Sequence, residues 1–290
     1  MGASMRAILA GCYAALLTFT AQAAELPPGY AQNNQPQTPF KISDDIYYVG
    51  ASDVTAFLID GGDGLILTDG GFEQTAPIIE ANIKVLGFDI KKVKVLLNSH
   101  AHFDHAGGLA ALKAASGAKL YASQADKGVL ENGGKAQFDG ADTNAFPAVR
   151  VDENLKDGQK LSVGRASLTI HLTPGHTRGC TSWTMTTRVA GKPTDVLFVC
   201  SLTALPQYRL VKNPSYAGIA EDFRSSVKTL RSLPCDIGLG SHGIFFNMKA
   251  KAAKVQAGQV DAFVDPQGCR AYLDTSAKLI EAEIAKERAE

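Results

Sequence analysis

The chain has 290 residues, 45% of them apolar and 20% charged, which suits one large globular domain or two small ones. Lysine plus arginine and aspartate plus glutamate balance at 29 each, without a basic patch or a charged tail, so nothing points to a nucleic-acid partner. No Ser- or Pro-rich linker divides the interior, so residues 24–290 read as a single domain.

Residues 1–23 read as a signal peptide. Arg6 precedes an apolar run over residues 7–20, and Ala21-Gln22-Ala23 supplies the small residues that a signal peptidase cuts behind. The expectation is cleavage after Ala23 or Ala24 and a periplasmic location. The run is shorter than the roughly 20 residues a spanning helix needs, so no membrane partner is expected. Leu9-Ala10-Gly11-Cys12 also spells a lipoprotein box, the minor alternative, with an anchor at Cys12. Cys180, Cys200, Cys235 and Cys269 remain after cleavage, an even number in an oxidising compartment, and they allow three pairings. Cys235–Cys269 is favoured because Cys269 opens a C-terminal helix that must be pinned to the body. Cys180 and Cys200 flank a hairpin and lie symmetrically about residue 190. Cross-strand pairing is geometrically open to them, against two free buried thiols.

Residues 25–40, rich in Pro, Gln and Asn, read as an extended arm. Apolar runs at 46–49, 54–59 and Leu65–Thr68 predict strands, the last two joined through Gly61-Gly62-Asp63-Gly64. Residues 72–86 have helical spacing (Ile78, Ile79, Ile83, Leu86), Val93–Leu97 predicts a buried strand, and 105–116 a helix. A strand at 119–122 and a short helix at 123–130 follow. Residues 133–149, Gly- and Asp-rich with isolated Phe138 and Phe146, read as a mobile loop beside the site. Further strands are expected at 168–172, 181–187, 195–199 and 236–239, with a turn near Gly191-Lys192. An amphipathic helix is expected at 215–233, and helices fill the remainder. Two halves, each with strands first and helices after, predict two sheets packed face to face with helices outside.

The run His100-Ala101-His102-Phe103-Asp104-His105 holds half of the six histidines, directly after the strand at Val93–Leu97. Packing does not explain that concentration, whereas imidazole and carboxylate are ligands that zinc takes. His176, in Pro174-Gly175-His176-Thr177, and His242, in Ser241-His242-Gly243, likewise follow strands. Five histidines and one aspartate make two sets of three: His100, His102 and His176, and Asp104, His105 and His242. Each set leaves an open position for water, the mark of a catalytic metal. The sixth histidine, His171, reads as an ordinary strand residue.

The pattern His-x-His-x-Asp-His, then Pro-Gly-His-Thr, then Ser-His-Gly resembles the metallo-β-lactamase fold, from Ile46 to the C-terminus. The fold implied is an α+β four-layer αβ/βα sandwich. Leu67-Thr68-Asp69-Gly70-Gly71 matches as well, and the resemblance implies that Asp69 orients the ligand turn from behind. The fold hosts many activities. Glyoxalase II-like hydrolases and lactonases of this kind usually carry a bridging aspartate where this chain reads Cys200-Ser201. Serine there, with His105 as a ligand, is similar to the third metallo-β-lactamase subclass, as are Gly179–Thr184, Ile219–Phe223 and Pro234-Cys235-Asp236. The resemblance implies two Zn²⁺ per chain and hydrolysis of the β-lactam amide by a metal-bound hydroxide. His100, His102, Asp104, His176 and His242 would carry catalysis. Ser201 and Thr203 would hold the substrate carboxylate, Tyr208 would help the oxyanion, and Phe138, with Phe146, would close over apolar substituents. The partner is then a small-molecule β-lactam, and a monomer is the default. The rivals are a lactone or thioester hydrolase of the same fold and a non-catalytic zinc-binding protein.

Overall fold

A computed structural model describes residues 26, 29–135, 137–139 and 145–290; the expected signal peptide and Cys12 lie outside them. The two halves of the chain each build their own sheet. The first holds β1 (Phe40–Lys41), β2 (Ile46–Tyr48), β3 (Phe57–Asp60), β4 (Leu65–Thr68), β5 (Val93–Leu97), β6 (Lys119–Ser123) and β7 (Glu153–Leu155), side by side in chain order. The second holds β8 (Lys160–Val163), β9 (Ala166–Leu172), β10 (Thr181–Val189), β11 (Lys192–Val199) and β12 (Ile237–Gly240), again in chain order across the sheet.

Neighbours joined by tight turns pair antiparallel. From β4 to β7, and between β11 and β12, the pairing is parallel and helices make the crossovers. These helices are α1 (Ala76–Val85), α2 (Phe103–Ala106), α3 (Leu109–Ser116) and α4 (Gln124–Glu131) in the first half, and α5 (Ile219–Ser232) in the second; α6 (Met248–Gln256) and α7 (Pro266–Ala289) follow β12. The sheets face each other across a core that includes Phe57, Ile66 and Leu97 from one side and Ile170, Trp183 and Phe198 from the other. Leu58, Leu67 and Leu96, on the outer face of the first sheet, pack beneath α1 and α3. Leu197 and Val199 pack beneath α5 and α7. The layers run helix, sheet, sheet, helix, as expected.

The helix expected over residues 105–116 is two helices, because Gly107-Gly108 must pass against the turn after β4. A Cβ on Gly108 would lie 2.3 Å from the Gly70 carbonyl oxygen. Gly108→Ala is therefore expected to cost ~1–3 kcal/mol through overpacking, read as a lowered thermal midpoint. β1, β7 and β8 escaped the sequence reading, and all three are short edge strands with little apolar content. The arm is held down rather than loose: Tyr30 packs on Phe72 and Phe103, and the Thr75 hydroxyl donates to Asn34 Oδ1. Phe146 is buried in the core that includes Leu130, so it does not close over the site. The hairpin turns at Ala190-Gly191, both with positive φ, in register with Trp183 opposite Phe198. It brings Cys180 and Cys200 together with Cα atoms 5.8 Å apart; Cys235 and Cys269 stand 6.4 Å apart, and both pairs span the distance of a disulfide.

Candidate metal centre

All six expected ligands lie just beyond the C-terminal ends of strands, where an α/β sheet opens a crevice. Backbone bonds sew the two sheets together at this rim: Thr181 N–H donates to the Ser99 carbonyl at 2.8 Å and Thr55 N–H to the Ser241 carbonyl at 3.1 Å. The turn after β5 thus meets the start of β10, and the approach to β3 meets the segment after β12.

The rings form one continuous cluster, since the His100 and His105 rings stand 4.3 Å apart, and the two expected sets lie within it. The donor atoms of His100, His102 and His176 lie within 4.8 Å of one another, all three residues buried. In the second group, His105 Nε2, His242 Nε2 and Asp104 Oδ2 are separated by 3.2, 3.3 and 3.5 Å. Zinc bonds of about 2.0–2.1 Å in a tetrahedron put neighbouring ligand atoms about 3.3–3.4 Å apart, so this triangle matches one tetrahedral face. His100 Nε2 is buried without a hydrogen-bond partner among the described residues, a state that a ligated cation relieves. The donor set and its geometry fit divalent metal.

Charge follows the same division. Burial, with the neighbouring rings, holds His100 and His176 well below the ordinary imidazole range, and burial takes His102 down to about 4. Three neutral imidazoles therefore present lone pairs at neutral pH. Burial alone would raise Asp104, but the His105 and His242 rings outweigh it and hold the carboxyl well below its usual range. His242 goes the other way. Burial opposes its charge, yet bonds to Asp104 and Asp53 push it up to about 9.

Supporting residues fix these rings. His176 Nδ1–H donates to the Thr203 carbonyl at 2.6 Å, which leaves Nε2 for the cluster. Asp69, with φ of 54° and 3% exposed, accepts from Ser99 N–H at 2.7 Å and Asn98 Nδ2 at 3.0 Å at the base of the ligand turn. Two carboxylates were missed by sequence reasoning. Asp53 accepts from His242 Nδ1–H at 2.9 Å and from Ile244 N–H at 3.0 Å. Asp126 accepts from Ala101 N–H, Thr177 Oγ1–H and Gly179 N–H. Its spacing from Ser123 spells a helix capping box, and the Ser123 hydroxyl does cap α4, but the Asp126 carboxylate points to the ligand loops instead.

The other expected residues divide. Thr203 is exposed beside the cluster, while Ser201 is buried and its hydroxyl accepts from Thr203 N–H. The Tyr208 hydroxyl donates to the His176 carbonyl at 2.6 Å and lies 3.5 Å from His102 Nε2. Phe138 stacks edge-on against Tyr208 and Tyr216. His171 sits in β9 with Nε2 3.0 Å from the Thr184 hydroxyl, and takes no part in either group.

A family model described as the metallo-beta-lactamase superfamily matches residues 49–242, from β3's approach through the last ligand. The chain belongs to the metallo-β-lactamase superfamily. It is similar to the solved FEZ-1 metallo-β-lactamase from Legionella gormanii, at 41% identity and a TM-score of 0.86, covering 89% of this chain and 99% of that one. It is similar also to BJP-1, a subclass B3 metallo-β-lactamase of Bradyrhizobium japonicum, at 38% identity and a TM-score of 0.83, covering 89% and 97%. A curated hydroxyacylglutathione hydrolase of Methylococcus capsulatus is 29% identical over 160 residues, which is 55% of this chain and 50% of that protein. The chain spans about half the length of the curated relatives it matches. Membership makes this chain a hydrolase of that superfamily, with solved neighbours among the metallo-β-lactamases and curated relatives among the hydroxyacylglutathione hydrolases.

Proposed function

We propose that the protein is an exported zinc β-lactamase that opens the amide of penicillins, cephalosporins and carbapenems, and so confers resistance. The observation that carries this reading is the pair of adjacent ligand groups with Ser201, not a carboxylate, at the end of β11. One Zn²⁺ would be held by His100, His102 and His176, and a second by Asp104, His105 and His242. Bound zinc supplies Lewis acidity toward the amide carbonyl and toward water.

The chain's own residues do the rest. Thr203, exposed at the rim, and Ser201 behind it offer hydroxyls to the substrate carboxylate. Asp104 stays ionised beside His105 and His242 and would give the second group its one anionic ligand. Asp53 holds the His242 ring through Nδ1, so that Nε2 faces Asp104. Tyr208, kept protonated by burial, braces the His176 carbonyl near any oxyanion. Phe138 makes an apolar edge for substrate substituents. No serine need be acylated. The mature chain is read as one domain over residues 24–290, periplasmic and monomeric, with disulfides at Cys180–Cys200 and Cys235–Cys269; among the described residues no helix is long and apolar enough to cross a membrane.

The curated relatives support a second reading, thioester hydrolysis of hydroxyacylglutathione. The absence of a carboxylate at Ser201 speaks against it. The test is absorbance decay of nitrocefin and imipenem with purified mature protein. Both are expected to be lost rapidly, stopped by EDTA, restored by zinc and indifferent to clavulanate. Hydrolysis of a hydroxyacylglutathione thioester, with both β-lactams untouched, establishes the second reading instead.

A further inference from the structure

The three histidines of the first group come from two loops with no secondary structure in common. His100 and His102 follow β5 in the first half, and His176 follows β9 in the second. Metal affinity depends on holding such loops at one spacing, because a site that must be pulled together loses part of its binding free energy to ordering. Beside the Tyr208 hydroxyl, one carboxylate spans the gap. Asp126, near the start of α4 and 3% exposed, accepts at Oδ2 from Ala101 N–H at 3.0 Å and from Thr177 Oγ1–H at 2.9 Å, and at Oδ1 from Gly179 N–H at 2.9 Å. Ala101 lies between His100 and His102, and Thr177 follows His176. The carboxylate therefore bonds one residue away from every ring of the group, on both loops at once.

The neighbourhood is built around this contact. A Cβ on Gly179 would lie 2.0 Å from Ser123 Oγ and 2.4 Å from Asp126 Cγ, so only glycine lets the second loop come this close. The Ser123 hydroxyl accepts from Asp126 N–H at 3.2 Å and fixes the carboxylate's backbone. Burial raises the Asp126 carboxyl to about 6, so the carboxylate form carries a desolvation cost that a plain helix cap would not require. Asp126 touches neither Asp104, His105 nor His242. Asp53 serves that second group, through His242 Nδ1.

We propose that Asp126 is a positioning residue that sets the spacing of His100, His102 and His176, and thereby the zinc affinity of that group alone. The proposal rests on the reading that these three rings hold a metal.

The test uses metal-depleted mature protein and zinc titration against a chromophoric chelator, in two backgrounds. His242→Ala leaves the three-histidine group intact, and His176→Ala leaves the other. Adding Asp126→Asn is expected to weaken zinc about 10- to 100-fold in the His242→Ala background and less than about threefold in the His176→Ala background, the range of a lost supporting contact. Thr177→Val, which removes one of the three bonds and strands no buried donor, is expected to weaken the first background about fivefold, the scale of one hydrogen bond. It carries the test should Asp126→Asn not fold. The cobalt(II) absorption of the His242→Ala protein should shift with Asp126→Asn, which a loss of stability alone would not produce. Equal weakening in both backgrounds, or unchanged affinity in the first, overturns the proposal. If His242→Ala protein binds no zinc at all, the metal reading of the three histidines falls, and the proposal with it.

Discussion

Replacing His176 with alanine is expected to lower kcat/KM for imipenem on the order of 1000-fold or more, a loss of ~4 kcal/mol of transition-state stabilisation. The size follows from placement. His176 supplies one of three buried rings, and its Nδ1 is already committed to the Thr203 carbonyl. The ring also lies beside Tyr208, so its loss loosens the contact at His102. His171→Ala is the control. His171 is a half-exposed strand residue bonded to Thr184, and its removal should leave kcat/KM within about twofold, as ordinary partly exposed substitutions do. Zinc content separates the explanations: His176→Ala should hold less metal at an unchanged thermal midpoint in EDTA. Near-normal turnover by His176→Ala would show that the first group is not the catalytic one.

Metal-free protein is expected to be most stable near pH 6.5 and to lose stability on both sides. On the acid side, an unfolded chain protonates its histidines near 6.5, while folded His102 resists protonation down to about 4. The unfolded state then binds more protons, so this contribution is full above pH 6.5 and is lost as pH falls toward 4. His102 alone represents ~3 kcal/mol, and His100 and His176 shift in the same direction. Asp104 and Asp53, held below the ordinary carboxylate range, deepen the loss at lower pH. Asp126, pushed up to about 6, opposes it, since its protonation favours the folded state between about 4 and 6. On the alkaline side His242 decides. Its folded value of about 9 makes its contribution full below pH 6.5 and lost as pH rises through 9. Urea midpoints in EDTA at pH 4.5, 6.5 and 9 read this directly. With zinc present the alkaline loss should vanish, because metal takes the place of the proton on His242. A midpoint that climbs steadily to pH 9 without metal would show that Asp53 and Asp104 do not hold that ring charged.

What was legible in the sequence was whatever is local. His100, His102, Asp104 and His105 share one turn, and His176 and His242 each follow a short apolar strand, so spacing and position alone marked them. The two-halves pattern likewise announced two sheets. What stayed hidden depends on contacts between distant segments. Asp53 lies 189 residues before His242, and nothing in Ser52-Asp53-Val54 signals that contact. Asp126 was masked because its position fits a helix cap. Gly107-Gly108 read as part of one helix, since the turn that forces the break comes from Gly70. The edge strands β7 and β8 bury only one side chain each, too few to set a period.

The seam between the two sheets has one more consequence. Each ligand group takes two residues from the first half of the chain and one from the second: His100 and His102 with His176, and Asp104 and His105 with His242. Among the described residues, β7 and β8 are joined only by the short segment 156–159. A metal held as proposed is therefore a coordinate crosslink between two separately wound bodies, added at the rim where backbone bonds already sew them together. Severing the chain at 156–159 would leave two fragments, neither with a complete group, and zinc would become the ligand that tells whether they have found each other.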